Sequence, residues 1–153
     1  MLLTRPCLYI QGESHQEQGR LMLRKIHLYV GVAGLIVFAL QGQYMDLVHD
    51  HLANMADAPR MLYRSSHIYF LLVSVLNIVL GVYLKDGAQV VKPAVQRVVS
   101  GVVILAPVML LAGFFLEPGM ADLIRPYTRP ALYALFGTGV ILSLLEIFGL
   151  NRR

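Results

Sequence analysis

Histidines are the residues of this 153-residue chain best suited to chemistry, and their neighbours decide which chemistry is open to them. His67 shares little more than one helical turn with Arg64, Ser66 and Tyr69. Met45, His49 and His51 precede it in a stretch that also carries Asp46 and Asp50. Imidazole and thioether both ligate haem iron, so His67 with His49, His51 or Met45 is a candidate axial pair for haem b. The same His67, His49 and His51, helped by the aspartates, are a candidate set for a divalent metal, although His-x-His is a spacing of low specificity. A quinone head group is the third option, its carbonyls accepting hydrogen bonds from His67, Arg64 and Tyr69. Against all three stands a plainer role, in which Arg64 and His67 anchor a helix at the level of lipid head groups.

His27 is the other histidine with a candidate role in binding a cofactor. Glu146 and Gln96 are the polar residues expected near it, and Glu146 has a simpler use as the partner of Lys25, Arg97 or Arg152. No set of residues completes a catalytic motif, so the sequence leaves open whether the chain is an enzyme. The lone cysteine, Cys7, excludes an internal disulfide.

The elements that position these residues are apolar and long. Hydrophobic residues make up 57% of the chain and charged ones 14%, with a mean hydropathy of +0.63. A soluble domain is about one-quarter charged, so such a chain has too little polar surface to cover itself in water. Charges delimit four runs: 20 residues between Lys25 and Asp46, 20 between Arg64 and Lys85, 19 between Arg97 and Glu117, and 22 between Arg129 and Arg152 with Glu146 inside. About 20 helical residues cross a bilayer core of about 30 Å. The reading is therefore an all-α integral membrane protein, an up-down-up-down four-helix bundle with spans at 25–45, 64–84, 94–116 and 130–150. Residues 1–22 read as a polar extension without the features of a cleavable signal; 23–153 form the transmembrane domain.

Nine lysines and arginines (Arg5, Arg20, Arg24, Lys25, Lys85, Lys92, Arg97, Arg152, Arg153) fall on one side of the expected membrane and four (Arg60, Arg64, Arg125, Arg129) on the other. The positive-inside rule places both termini in the cytoplasm, the N-in/C-in topology of a multi-pass protein of a bacterial inner membrane. The net charge of +4 is spread between apolar runs rather than clustered, which excludes a nucleic-acid interface and suits a lipid bilayer. Met45, Val48, Leu52 and Met55 recur at helical spacing, predicting an amphipathic external helix over 46–58. Pro93 and Pro130 suit first turns of helices, and Pro107 should kink the third.

Spans one and two share a pattern. Each opens on His-aliphatic-Tyr (His27, His67) and closes on Gly-x-Tyr (Gly42, Gly81). His27, Gly34, Gln41 and Met45 fall on one face of the first, and His67, Ser74 and Gly81 on one face of the second with Asn77 beside them. Small and polar residues in a stripe mark a face that packs inside a membrane bundle, and two such antiparallel helices would be related by a pseudo-two-fold axis. Chance similarity within a limited alphabet explains the pattern equally well. In either case the two histidines belong at opposite membrane surfaces and cannot share one metal.

The segments HLYVGVAGLIVFALQGQYM and LYRSSHIYFLLVSVLNIVLGVY (residues 62–83) resemble those of small four-helix bacterial inner-membrane proteins. The layout is more distantly similar to four-helix b-type cytochromes of the cytochrome b561 kind, a resemblance that implies two haems held between histidines of paired helices. This chain departs from that pattern, since spans three and four contain no histidine. Three functions compete: a redox-associated protein binding haem or quinone near its external side, a non-enzymatic accessory or assembly subunit of a larger membrane complex or homo-oligomer, and a small transporter. The transporter needs a mid-membrane acid, and Glu146 lies too near one end.

Overall fold

The computed structural model describes residues 7–83, 93–120 and 124–148, without the side chains of 7–17, 20, 93, 145 and 146. Among these residues there is no strand, and four helices account for nearly all of the chain: α1 (Cys7–Leu47), α2 (Asp57–Tyr83), α3 (Pro93–Leu116) and α4 (Thr128–Ile147). The segments Leu21–Leu47, Asp57–Tyr83 and Ala94–Gly119 are long and apolar enough to cross a membrane. Arg5, Lys85, Lys92, Arg152 and Arg153, on which part of the charge asymmetry rests, lie outside the described residues, as does the side chain of Glu146.

Two boundaries differ from those expected. The extension predicted over 1–22 is, from Cys7 onward, the first part of a single 41-residue helix. No proline falls between Pro6 and Pro59 to break it, and at 1.5 Å per residue it is about 60 Å long. The amphipathic helix predicted over 46–58 does not form. α1 ends at Leu47, α2 begins at Asp57, and the chain between makes one short turn at Asp50–Leu52. Of the apolar residues in that segment only Leu52 is fully buried, against Tyr63 and Phe114. Nine residues must reverse the direction of the chain, and a straight helix cannot do so.

That turn is left-handed. Asp50, His51 and Leu52 have φ of 46°, 54° and 63°, a conformation that costs a non-glycine residue about 1–2 kcal/mol each. Arg60 holds it, donating from its guanidinium to the carbonyls of Leu52, Ala53 and Met55 at 3.1, 3.3 and 2.5 Å and pairing with Asp57.

α1 and α2, and α2 and α3, run antiparallel, as the close approaches show. Leu28 meets Gly81 and Gly34 meets Ser74, Asn77 bonds to Val103, and Tyr63 packs on Phe114. α3 continues unbroken through Pro107. The assembly is less closed than a four-helix bundle: α1, α2 and α3 pack together, whereas α4 packs chiefly on α3. Beyond Thr128 and Ala131, none of its described side chains is fully buried.

Small and polar residues line the α1–α2 seam beside an apolar core, and the outward faces are apolar. On α1 the interior stripe is His27, Gly31, Gly34 and Gln41, while Tyr29, Val32, Ile36 and Leu40 face outward; on α2, Ser66, Ser74, Asn77 and Gly81 are buried and Ile68, Leu72, Val75 and Val79 exposed. Small interior residues are what the packing needs. A Cβ on Gly31 would lie 2.6 Å from Ile78 Cγ1, and one on Gly34 would collide with Ser74 Oγ.

Candidate functional site

Two polar centres occupy the α1–α2 seam, and they differ in how fully they are satisfied. The first is His27, completely buried. The Asn77 side-chain amide nitrogen donates to the carbonyls of Val73 and Val103, at 2.9 and 3.0 Å. Its Oδ1 therefore faces His27, whose Nδ1 must carry the hydrogen it donates across 2.8 Å. One amide thus ties α1, α2 and α3 together, and His27 is a member of that tie. Arg24 adds a bond from Nε to the Gly81 carbonyl at 3.0 Å. His27 Nε2 is buried with no partner among the described residues.

The second centre is at the other end of the seam. Fourteen residues separate His27 from Gln41 along α1, about 20 Å at helical rise, so the two histidines are held apart as the sequence implies. The His67 ring lies flat on Phe38, centroids 4.0 Å apart and planes inclined by 12°. Its Nδ1 faces Gln41 Oε1 at 3.4 Å, and the Nε2 of this 2%-exposed glutamine has no partner among the described residues. Gly42 covers the far edge of the ring only thinly: a Cβ there would be 3.7 Å from His67 Cε1 and 3.9 Å from Nε2. Gly42 also lines a cleft of about 370 Å³ with Gln43, Met45, Asp46, His51, Leu52 and Arg64. The Arg64 guanidinium on this lining is suited to oxygen acceptors, while Gln41 and His67 neighbour the cleft through Gly42 rather than forming its wall.

Arg64, His51 and Met45 line this cleft, and His51 is paired with Asp46. His49 is elsewhere. Its ring packs against Tyr44 and Tyr63, centroids 5.2 and 5.0 Å away, so it is part of an aromatic cluster with Phe114 and not opposite His67. Tyr69 is two residues from His67 and so on another face of α2, packed against the cluster of Phe70, Val73, Ala106 and Leu110. No three histidine, cysteine, aspartate or glutamate side chains come together as a metal set among the described residues. Hence the residues of the proposed metal set, His67, His49 and His51, are distributed over three separate surroundings.

Sequence reasoning passed over Glu117, which served there only to mark the end of a span. Its carboxylate is completely buried. Oε1 accepts the backbone N–H groups of Tyr127 and Thr128 at 3.0 and 2.7 Å, and Oε2 accepts the Thr128 hydroxyl at 2.7 Å. A carboxylate at a helix N-terminus satisfies orphan donors and complements the helix dipole, so Glu117 fastens the start of α4 to the end of α3. Gly113 makes room for it, since a Cβ there would be 2.5 Å from Thr128 Oγ1. The available signal was a lone acid followed by Pro118-Gly119 between two apolar runs.

No protein-family model matches the chain, nor does any curated protein or solved structure.

Proposed function

We propose that this chain is a multi-pass protein of a bacterial cytoplasmic membrane, with four crossings and both termini inside, that binds the head group of a quinone near its external surface. The observation that carries the reading is the cleft at the His67 end. Arg64 lines it, and behind the bare backbone of Gly42 lie the imidazole edge and Gln41 Nε2, a buried donor without a partner among the described residues. Quinone carbonyls are acceptors that such donors complete. Haem b fits less well, because it would need His49, His51 or Met45 opposite His67, and His49 is enclosed by tyrosines. The membrane setting is supported by the outward apolar stripes and by the small and polar residues buried along the α1–α2 seam.

Titration calorimetry of the detergent-purified protein with a short-chain ubiquinone analogue tests the site. His67→Ala should weaken binding about tenfold, the equivalent of about 1.4 kcal/mol for one hydrogen bond, with thermal stability little changed. Equal affinity for parent and variant would remove His67 from the site. Topology is tested separately: reporter fusions at Asp57 should read external and at Asp86 cytoplasmic, and the reverse pattern would invert the placement of the cleft.

The accessory-subunit reading draws on a different observation. α4 diverges from α2 and leaves an apolar groove of about 500 Å³ lined by Leu72, Leu76, Leu132, Phe136 and Val140 among others, surface that a partner helix could fill. Absence of any analogue binding to the parent protein would favour it.

A further inference from the structure

We infer that the left-handed turn Asp50–Leu52 is a strap that closes the external cleft and opens by relaxing to right-handed backbone. The inference rests on the head-group reading for what passes beneath the strap, and on the turn's own geometry for whether it moves. Three consecutive non-glycine residues at positive φ are a conformation that persists only where the surroundings enforce it, and such strain concentrates at switches and ligand clamps. Here the enforcing contacts are few and separable. Arg60 grips three carbonyls on the C-terminal side of the turn, Leu52 is buried at 3% exposure against Tyr63 and Phe114, and His51 is paired with Asp46.

Two of those contacts are also walls of the cleft. His51 and Leu52 line one side of it, while Gly42, Gln43, Met45 and Asp46 of α1 and Arg64 of α2 line the rest. Relaxing the turn must therefore withdraw the wall that His51 and Leu52 make. The turn is closed by its own short bonds, Leu52 N–H to the His49 carbonyl at 2.8 Å and Ala53 N–H to that of Asp50 at 2.9 Å, so it moves as one unit. Strap closed and strap open are then two states whose balance single substitutions can tip in either direction.

Cysteine reactivity reads that balance with no ligand present. In the full-length chain with its only cysteine removed (Cys7→Ser), Met45→Cys places a thiol on the half-buried cleft wall. Its rate of labelling by a maleimide is measured in detergent. Arg60→Gln, which loses the grip on the carbonyls, should raise the rate at least tenfold. Asp50→Gly should lower it several-fold, because glycine adopts a φ of 46° without strain and favours the closed turn. Rates equal within twofold in both variants, or faster labelling in Asp50→Gly, would overturn the strap. Asp50→Gly alone decides if Arg60→Gln does not fold. A strap that responds as stated in a protein that binds no ubiquinone analogue would sink the head-group reading and leave the strap standing.

Discussion

Glu117→Ala should unlatch α4 and be among the most damaging single changes in the described part of this chain. The substitution removes the acceptor of the Tyr127 and Thr128 N–H groups and of the Thr128 hydroxyl, and all three lie at a site where the carboxylate itself is fully buried. Loss of a helix N-cap costs about 1 kcal/mol, and leaving buried donors unpaired adds about 1–3 kcal/mol. A total loss of about 2–4 kcal/mol is expected. α4 has little else to hold it, since only Thr128 and Ala131 are fully buried among its described side chains. Thermal unfolding followed by circular dichroism should show the drop, and hydrogen exchange should localise it to the amides of Tyr127 and Thr128. Glu117→Gln, which retains an acceptor oxygen, should lie between. If the alanine variant is as stable as the parent and those amides stay protected, the fastening role is wrong.

Gly34→Leu should force α1 and α2 apart. Even a single Cβ at this position collides with Ser74 Oγ and lies 2.9 Å from Ser74 Cβ, and the Ser74 hydroxyl is held by the Phe70 carbonyl at 2.8 Å. Neither side chain can retreat, because both belong to helix backbones packed at the centre of the seam. Overpacking of this kind costs about 1–3 kcal/mol, and the larger value is expected because the neighbouring Gly31 contact must open as well. The measurement is the thermal midpoint in detergent, set beside Gly139→Leu, whose added Cβ would meet nothing within 4 Å. Equal midpoints for the two variants would mean that α1 and α2 do not approach closely at Gly34.

How much of this was legible in the sequence follows from which interactions are periodic. The long apolar runs fix α3 and α4 within a few residues, whereas α1 and α2 begin well before their expected starts at 25 and 64, and the stripe of His27, Gly34 and Gln41 is buried as its spacing implies. Arg64, His51 and Met45 come to line one cleft because the connection between α1 and α2 is short. Tyr69 shows the limit of that reasoning. Closeness in sequence does not survive a two-residue step round a helix, and it faces the core cluster instead. His49 shows another: aromatic packing against Tyr44 and Tyr63 depends on the path of a turn that no periodicity encodes. The left-handed residues at 50–52 carry no glycine to announce them, and the Arg60 grip depends on three carbonyls, which a sequence does not display. The fastening roles of Glu117 and Asn77 were not legible for the same reason, since they depend on backbone groups of other segments.

The seam between α1 and α2 is nearly symmetric about the contact of Gly34 with Ser74. On one side His27 meets Asn77 and Leu28 meets Gly81; on the other His67 meets Phe38 and Gly42. The position that matches Asn77, forty residues earlier, is Val37, so the twin histidines have no common fastener. One has become a rivet of the scaffold, and the other is a ring at rest on a phenylalanine with an edge to spare. Damage to the first should be felt as misfolding and damage to the second as loss of binding. On the proposed head-group reading, two helices that share one sequence pattern divide their labour, the His27 end holding the fold together and the His67 end left for a ligand.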